Sequence, residues 1–175
     1  MAAEKKIDVL FEILSSEQQI LQRTDQKAFT LLSILGVFST FFIVHYTKIP
    51  PDFYNLSLIF LYFVAVLFSI FFLLMVISPR ISGTEETLRE DKKAIAPTFF
   101  GGIIKYKSSK EYADTLEKLL ENPEITYDIF AKSVYSIGRI NAHKNKYFRH
   151  GIISFVIAIT LELIIIVSLY FRLVV

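Results

Sequence analysis

Three stretches of this chain carry almost no charge, and each is long enough to cross a lipid bilayer. Residues 28–46 read AFTLLSILGVFSTFFIVHY, residues 56–77 read LSLIFLYFVAVLFSIFFLLMVI, and residues 151–171 read GIISFVIAITLELIIIVSLYF. A helix rises about 1.5 Å per residue, so about 20 apolar residues cover the hydrocarbon core. Nothing but a helix or a closed barrel satisfies the backbone there, and uninterrupted apolar runs select the helix. Three such runs within 175 residues leave little chain for a soluble core. The mean hydropathy of +0.48 and the 17 Phe follow from those runs, and the remaining charge is crowded between them.

The expected fold is therefore all-α and integral to the membrane. The segments are an amphipathic helix over 1–27, spans over 28–46, 56–77 and 151–171, a proline-containing external hairpin over 47–55, a helical region over 78–150 and an external tail over 172–175. Lys and Arg beside span ends stay on the cytoplasmic side. Arg23 and Lys27 precede the first span, Arg80 follows the second, and Lys144, Lys146 and Arg149 precede the third, against Lys48 and Arg172 on the opposite side. This bias predicts the N-terminus inside, the C-terminus outside and a basic cytoplasmic region. The opening Met1-Ala2-Ala3-Glu4-Lys5-Lys6 lacks the order of a cleavable signal.

Two spans extend beyond the membrane. Ile7, Leu10, Phe11, Leu14 and Leu21 form a helical face with no Gly or Pro between them and Ala28, which predicts one rod of about forty residues. Asn122-Pro123 is a helix start, and Ile125, Ile129, Phe130, Val134 and Ile137 form a stripe running on into the third span. Gly138 and Gly151 are the weak points of that second rod. Between the rods, Ser78-Pro79-Arg80 stops the second span and Thr84-Glu85-Glu86 opens a short helix. Ser108 with Glu111 makes a capping box for a helix to about Glu121 whose apolar side is Tyr112, Leu116, Leu119 and Leu120. Both rods are expected to join a small cytoplasmic bundle.

Chemistry-bearing patterns are sparse. There is no cysteine, no GxSxG, no phosphate-loop pattern and no HExxH, so no catalytic residue, metal or cofactor is assigned and an enzyme is not expected. His143 and His150 share a helix face but lie about 10 Å apart, too far to chelate one ion. Glu162 sits near the middle of the third span, where an ionisable group costs at least about 2–3 kcal/mol. Two readings stand: a protonated acid satisfied by Ser39, Thr40 or Ser69, or a group facing an aqueous path that becomes an acidic ring in a homo-oligomer. Asp25 and Lys27 flank the first span as interfacial anchors, or join Arg139, Asn141 and Lys144 around a small anionic ligand. Pro97-Thr98-Phe99-Phe100-Gly101-Gly102-Ile103-Ile104-Lys105-Tyr106 offers aromatic faces, glycine amides and Lys105 for a nucleotide, or else a hydrophobic clip.

Read together, Asp25-Gln26-Lys27-Ala28, Pro79-Arg80, Phe99-Phe100-Gly101, Glu111-Tyr112, Leu119-Leu120 and Lys144-Asn145-Lys146-Tyr147 resemble, in order and spacing, the Pycsar effector transmembrane family, PycTM. The resemblance covers the chain from about residue 10. It implies a multi-pass protein of the bacterial inner membrane that answers cyclic UMP or cyclic CMP made during phage infection, and that impairs the membrane so that infection aborts. It supplies no residue-level ligand motif. The expected nucleotide contacts Asp25, Lys27, Phe99, Phe100, Lys105, Arg139, Asn141 and Lys144, and the intramembrane Glu162, come from the residues themselves. The alternative function is a membrane-anchored adaptor that binds a protein partner through its basic region.

Overall fold

The computed structural model describes residues 2–78, 103 and 106–174. The expected short helix after Thr84, the stop at Pro79-Arg80 and the segment bearing Phe99, Phe100 and Lys105 lie outside the described residues. Among those described, the structure is helical throughout, without strands. Helix α1 runs over Ala2–His45 and spans 44 residues, so the expected first rod is one continuous helix. A single 3-10 turn over Tyr46–Lys48 leads through Ile49 to Asp52 into α2, Phe53–Ile77. Helix α3 covers Ser109–Leu120, and α4 runs unbroken over Pro123–Val174 for 52 residues. Neither Gly138 nor Gly151 interrupts it. Among the described residues, three helices are long and apolar enough to cross a membrane.

The chain forms two compact units. The first comprises residues 1–22 and 79–143, and the second residues 23–78 and 144–175.

In the first unit the helix boundaries follow their capping chemistry. The Ser108 hydroxyl accepts from the Glu111 amide at 3.2 Å, while the Glu111 carboxylate accepts from the Lys107 amide at 2.9 Å. The first bond occupies a donor that the first turn of α3 would otherwise leave without an acceptor, and the second ties the residue before the cap to the helix. Ser108→Ala removes one of them and should cost about 1 kcal/mol of local stability. The expected outcome is faster amide exchange confined to α3, read by hydrogen–deuterium exchange. At the other end, Asn122 accepts from the Ile125 amide at 3.4 Å and starts α4 as its sequence requires.

The buried stripe of α4 differs from the expected one at this end. Ile125 is exposed and Thr126 is buried in its place. Its hydroxyl lies 2.6 Å from the Leu119 carbonyl and 3.0 Å from that of Asn122. Both carbonyls already accept backbone amides, from Asn122 at 3.1 Å and Thr126 at 3.0 Å, and the inward threonine adds a hydroxyl donor across the tight reversal that an isoleucine lacks. Beyond it, Phe130, Ser133, Ile137 and Asn141 are buried at helical spacing, and Phe11 of α1 packs on Phe130 with ring centroids 4.6 Å apart. On α3, Tyr112, Leu116 and Leu119 are half-buried, whereas Leu120 points outward.

The second unit packs α1, α2 and α4 around two apolar clusters. One joins Leu35, Phe42, Ile59, Tyr62, Ala65, Val66, Ala158, Leu161 and Ile165, and the other Ala28, Leu73 and Val76. Along α1 the buried positions Ala28, Leu35 and Phe42 recur every seven residues, and so do Gly151, Ala158 and Ile165 on α4. A seven-residue repeat keeps a seam facing its partner when helices wind left-handedly around each other. Gly151 is a point of close approach: a Cβ built there would lie 2.8 Å from Leu73 Cδ2. Its carbonyl also accepts from the Ser69 hydroxyl at 3.3 Å. Small residues permit such approach between helices in lipid, where packing rather than water exclusion holds helices together.

The outer faces of this unit are apolar. Phe53, Phe60 and Leu67 on α2, Val37 and Val44 on α1, and Val156 on α4 are all exposed. Outward-facing hydroxyls return to their own helix: Thr30, Ser33, Thr40, Ser57 and Thr160 each donate to the carbonyl four residues earlier. Large exposed apolar area with self-satisfied hydroxyls suits a lipid environment and not an aqueous one. At the hairpin, buried Asn55 donates to the Pro50 carbonyl at 3.1 Å and ties the turn to the start of α2.

Candidate functional site

Polar groups inside a membrane-length bundle are costly to bury, so their positions mark where function or specificity is built in. In the first unit, buried Asn141 donates to the Glu17 backbone carbonyl at 2.9 Å and also reaches the Glu17 carboxylate. Arg139 is exposed. In the second unit, Lys144 is buried and its ammonium lies 2.6 and 2.9 Å from the two carboxylate oxygens of Asp25. Asp25 keeps a quarter of its side-chain surface accessible, and Lys144 about a fourteenth. Lys27 is exposed and stands apart from that pair.

The residues expected around an anionic ligand are thus distributed over different roles. Asp25 finds its cation in Lys144 and not in Lys27, the neighbour that local sequence offered as an anchor partner. Asn141 is engaged with Glu17, whose role no local motif signalled. A ligand phosphate reaching Lys144 would have to displace Asp25. Lys27 and Arg139 carry exposed cationic side chains, and Phe99, Phe100 and Lys105 lie outside the described residues.

Glu162 occupies the interior of the second unit at 1% exposure, and among the described residues neither carboxylate oxygen has a partner within hydrogen-bond geometry. The three hydroxyls expected to satisfy it are engaged elsewhere. Ser39 accepts from the Tyr62 hydroxyl at 3.2 Å, Thr40 donates to the Gly36 carbonyl at 2.8 Å, and Ser69 donates to the Gly151 carbonyl. Each of the three hydroxyls named from the sequence has a backbone or phenol partner. Tyr62, completely buried on α2, is the group within electrostatic reach of Glu162. Sequence reasoning missed Tyr62, because a tyrosine inside LYFVAV reads as one more large apolar residue.

The histidines take structural places. The Nδ1 atom of His45 lies 2.9 Å from the Phe41 carbonyl, and the His150 ring packs 5.4 Å from that of Phe72. Among the described residues no group of histidine and acidic side chains is assembled for a metal ion.

No curated protein and no solved structure matches the chain. A family model does: the Pycsar effector protein domain, PycTM, matches residues 9–172. That match takes in all three membrane-length helices, the Asp25–Lys144 pair and Glu162. The chain belongs to the PycTM family of Pycsar effectors, with the anti-phage role that this membership carries.

Proposed function

We propose that this effector converts a cyclic pyrimidine nucleotide signal, cUMP or cCMP, into impairment of the bacterial inner membrane, so that infected cells stop growing before phage mature. The protein acts as a homo-oligomer without catalysis, with its N-terminus and basic region in the cytoplasm and its C-terminus outside. Nucleotide binding on the cytoplasmic side favours one arrangement of the helices, and only by the difference in its affinity for the two states. The exposed Arg139 is a candidate phosphate contact, with Phe99, Phe100 and Lys105 as candidate base and phosphate contacts.

One observation supports a membrane lesion over simple anchoring. An anchor has no use for a carboxyl group buried without a partner inside its spans, yet Glu162 is held there. In a homo-oligomer whose helices part, Glu162 becomes an acidic group on an aqueous path. Continuity of α4 from Pro123 to Val174 gives a direct covalent route from the nucleotide-sensing region to that residue.

Bacteria carrying this gene with a cognate pyrimidine cyclase provide the test. Membrane potential should collapse after infection and before lysis, and Glu162→Gln should preserve the protein's abundance while delaying the collapse. An unchanged time course in the Glu162→Gln strain removes Glu162 from the lesion. Full potential in infected wild-type cells removes the lesion itself, and dependence on a further protein favours the adaptor.

A further inference from the structure

We infer that Ser39, Tyr62 and Glu162 form a binding site for a monovalent cation, either a proton or an alkali ion, in the interior of the second unit. Each of the three helices supplies one oxygen-bearing side chain: Ser39 from α1, Tyr62 from α2 and Glu162 from α4. Tyr62 is completely buried and Glu162 almost so.

Charge balance singles out this cluster. Across residues 28–46, 56–77 and 151–171, Glu162 is the only Asp, Glu, Lys or Arg. The titratable group facing it from α2 is Tyr62, and Ser39 of α1 is connected through Tyr62 at 3.2 Å. Neither brings positive charge. A carboxylate without countercharge and without a hydrogen bond is the costliest arrangement a low-dielectric interior can hold. A monovalent cation removes that cost with a single charge. A divalent cation would leave an excess positive charge in the same surroundings and needs more carboxylates than one. The two carboxylate oxygens and the neighbouring Tyr62 oxygen would start an oxygen shell for an alkali ion, with the Ser39 oxygen 3.2 Å beyond Tyr62. For a proton, the same cluster offers the Tyr62 oxygen as an acceptor.

The site stands independently of the nucleotide trigger, and it is tested on the resting full-length protein in lipid nanodiscs. Infrared spectra of the wild type minus Glu162→Gln report a protonated carboxyl group directly. Thermal unfolding in sodium or potassium chloride, each against choline chloride at equal ionic strength, reports alkali binding. A protonated carboxyl band lost in Glu162→Gln assigns the site to a proton. Absence of the band, together with a sodium- or potassium-dependent rise in unfolding temperature that Glu162→Gln loses, assigns it to an alkali ion. Absence of both signals would overturn the proposal. Should Glu162→Gln fail to fold, Tyr62→Phe serves as the second variant: it keeps the carboxyl group and should shift the band or weaken the salt-dependent rise several-fold. An unaltered band and an unaltered rise would exclude Tyr62 from the site and overturn the proposal as stated.

Discussion

Asp25→Ala should destabilise the protein more than Lys144→Met, although both break the same ion pair. The asymmetry follows from exposure. Lys144 is almost wholly buried, whereas Asp25 keeps about a quarter of its side chain accessible. Removing the aspartate strands a buried ammonium; removing the lysine leaves a carboxylate that water still reaches. Breaking a buried pair from one side costs about 3–5 kcal/mol. Asp25→Ala is expected near 3 kcal/mol, at the lower end of that range because one partner is partly solvated, and Lys144→Met at about half of it. The double variant Asp25→Leu/Lys144→Met should recover most of the loss, since apolar groups of similar volume replace buried pairs at little cost. Thermal unfolding in nanodiscs checks the order of the three. Equal losses in the two single variants would show that burial does not govern the pair.

The second large effect is expected at Gly151. Gly151→Leu places a branched side chain where even a Cβ approaches Leu73 Cδ2 to 2.8 Å and Leu73 Cγ to 3.0 Å. Helix α4 has to move away from α2, at a cost of about 2–3 kcal/mol from overpacking. Gly151→Ala behaves differently. The end of the Leu73 side chain can turn aside, and alanine gains about 1 kcal/mol of helix propensity over glycine, so the two effects nearly cancel. Gly138 is the control, because a Cβ there meets nothing within 4 Å. Gly138→Ala should stabilise α4 by about 0.5–1 kcal/mol. If Gly138 serves as the bend through which α4 responds to nucleotide, the same substitution should reduce membrane depolarisation in infected cells while raising unfolding temperature. Unfolding temperatures of the three variants, in the order Gly138→Ala, Gly151→Ala, Gly151→Leu from highest to lowest, are the expected result.

The three membrane-length helices were legible because their signal is additive over about twenty positions, and no single residue carries it. The capping box at Ser108 and the start at Asn122-Pro123 were legible because capping is local: donor and acceptor lie within four residues. The misplaced edge at Ile125 shows the limit of that reasoning. Hydrophobic periodicity put the isoleucine inward, whereas the structure turns Thr126 inward, where its hydroxyl reaches the Leu119 carbonyl seven residues back.

The candidate site was legible only in part, for a related reason. Glu162 announces itself, since one charge in an apolar run needs no partner to be noticed. Its surroundings are not local, because Ser39 and Tyr62 come from two other helices. Asp25 and Lys144 are separated by 119 positions and Glu17 and Asn141 by 124. Sequence reasoning grouped Asp25 with Lys144 only as an alternative to anchoring beside Lys27, and it did not name Glu17. Gly151 looked like a place for α4 to bend, and packing makes it a place where α4 lies close against Leu73 of α2.

The central claim is that a cyclic pyrimidine nucleotide makes this protein breach a bilayer, and purified protein in dye-loaded liposomes tests it most directly. Release should begin on addition of cUMP or cCMP, stay at background with non-cyclic UMP and CMP, and fall markedly in Glu162→Gln. Liposomes that remain tight with both cyclic nucleotides, while the reconstituted protein is folded, would contradict it.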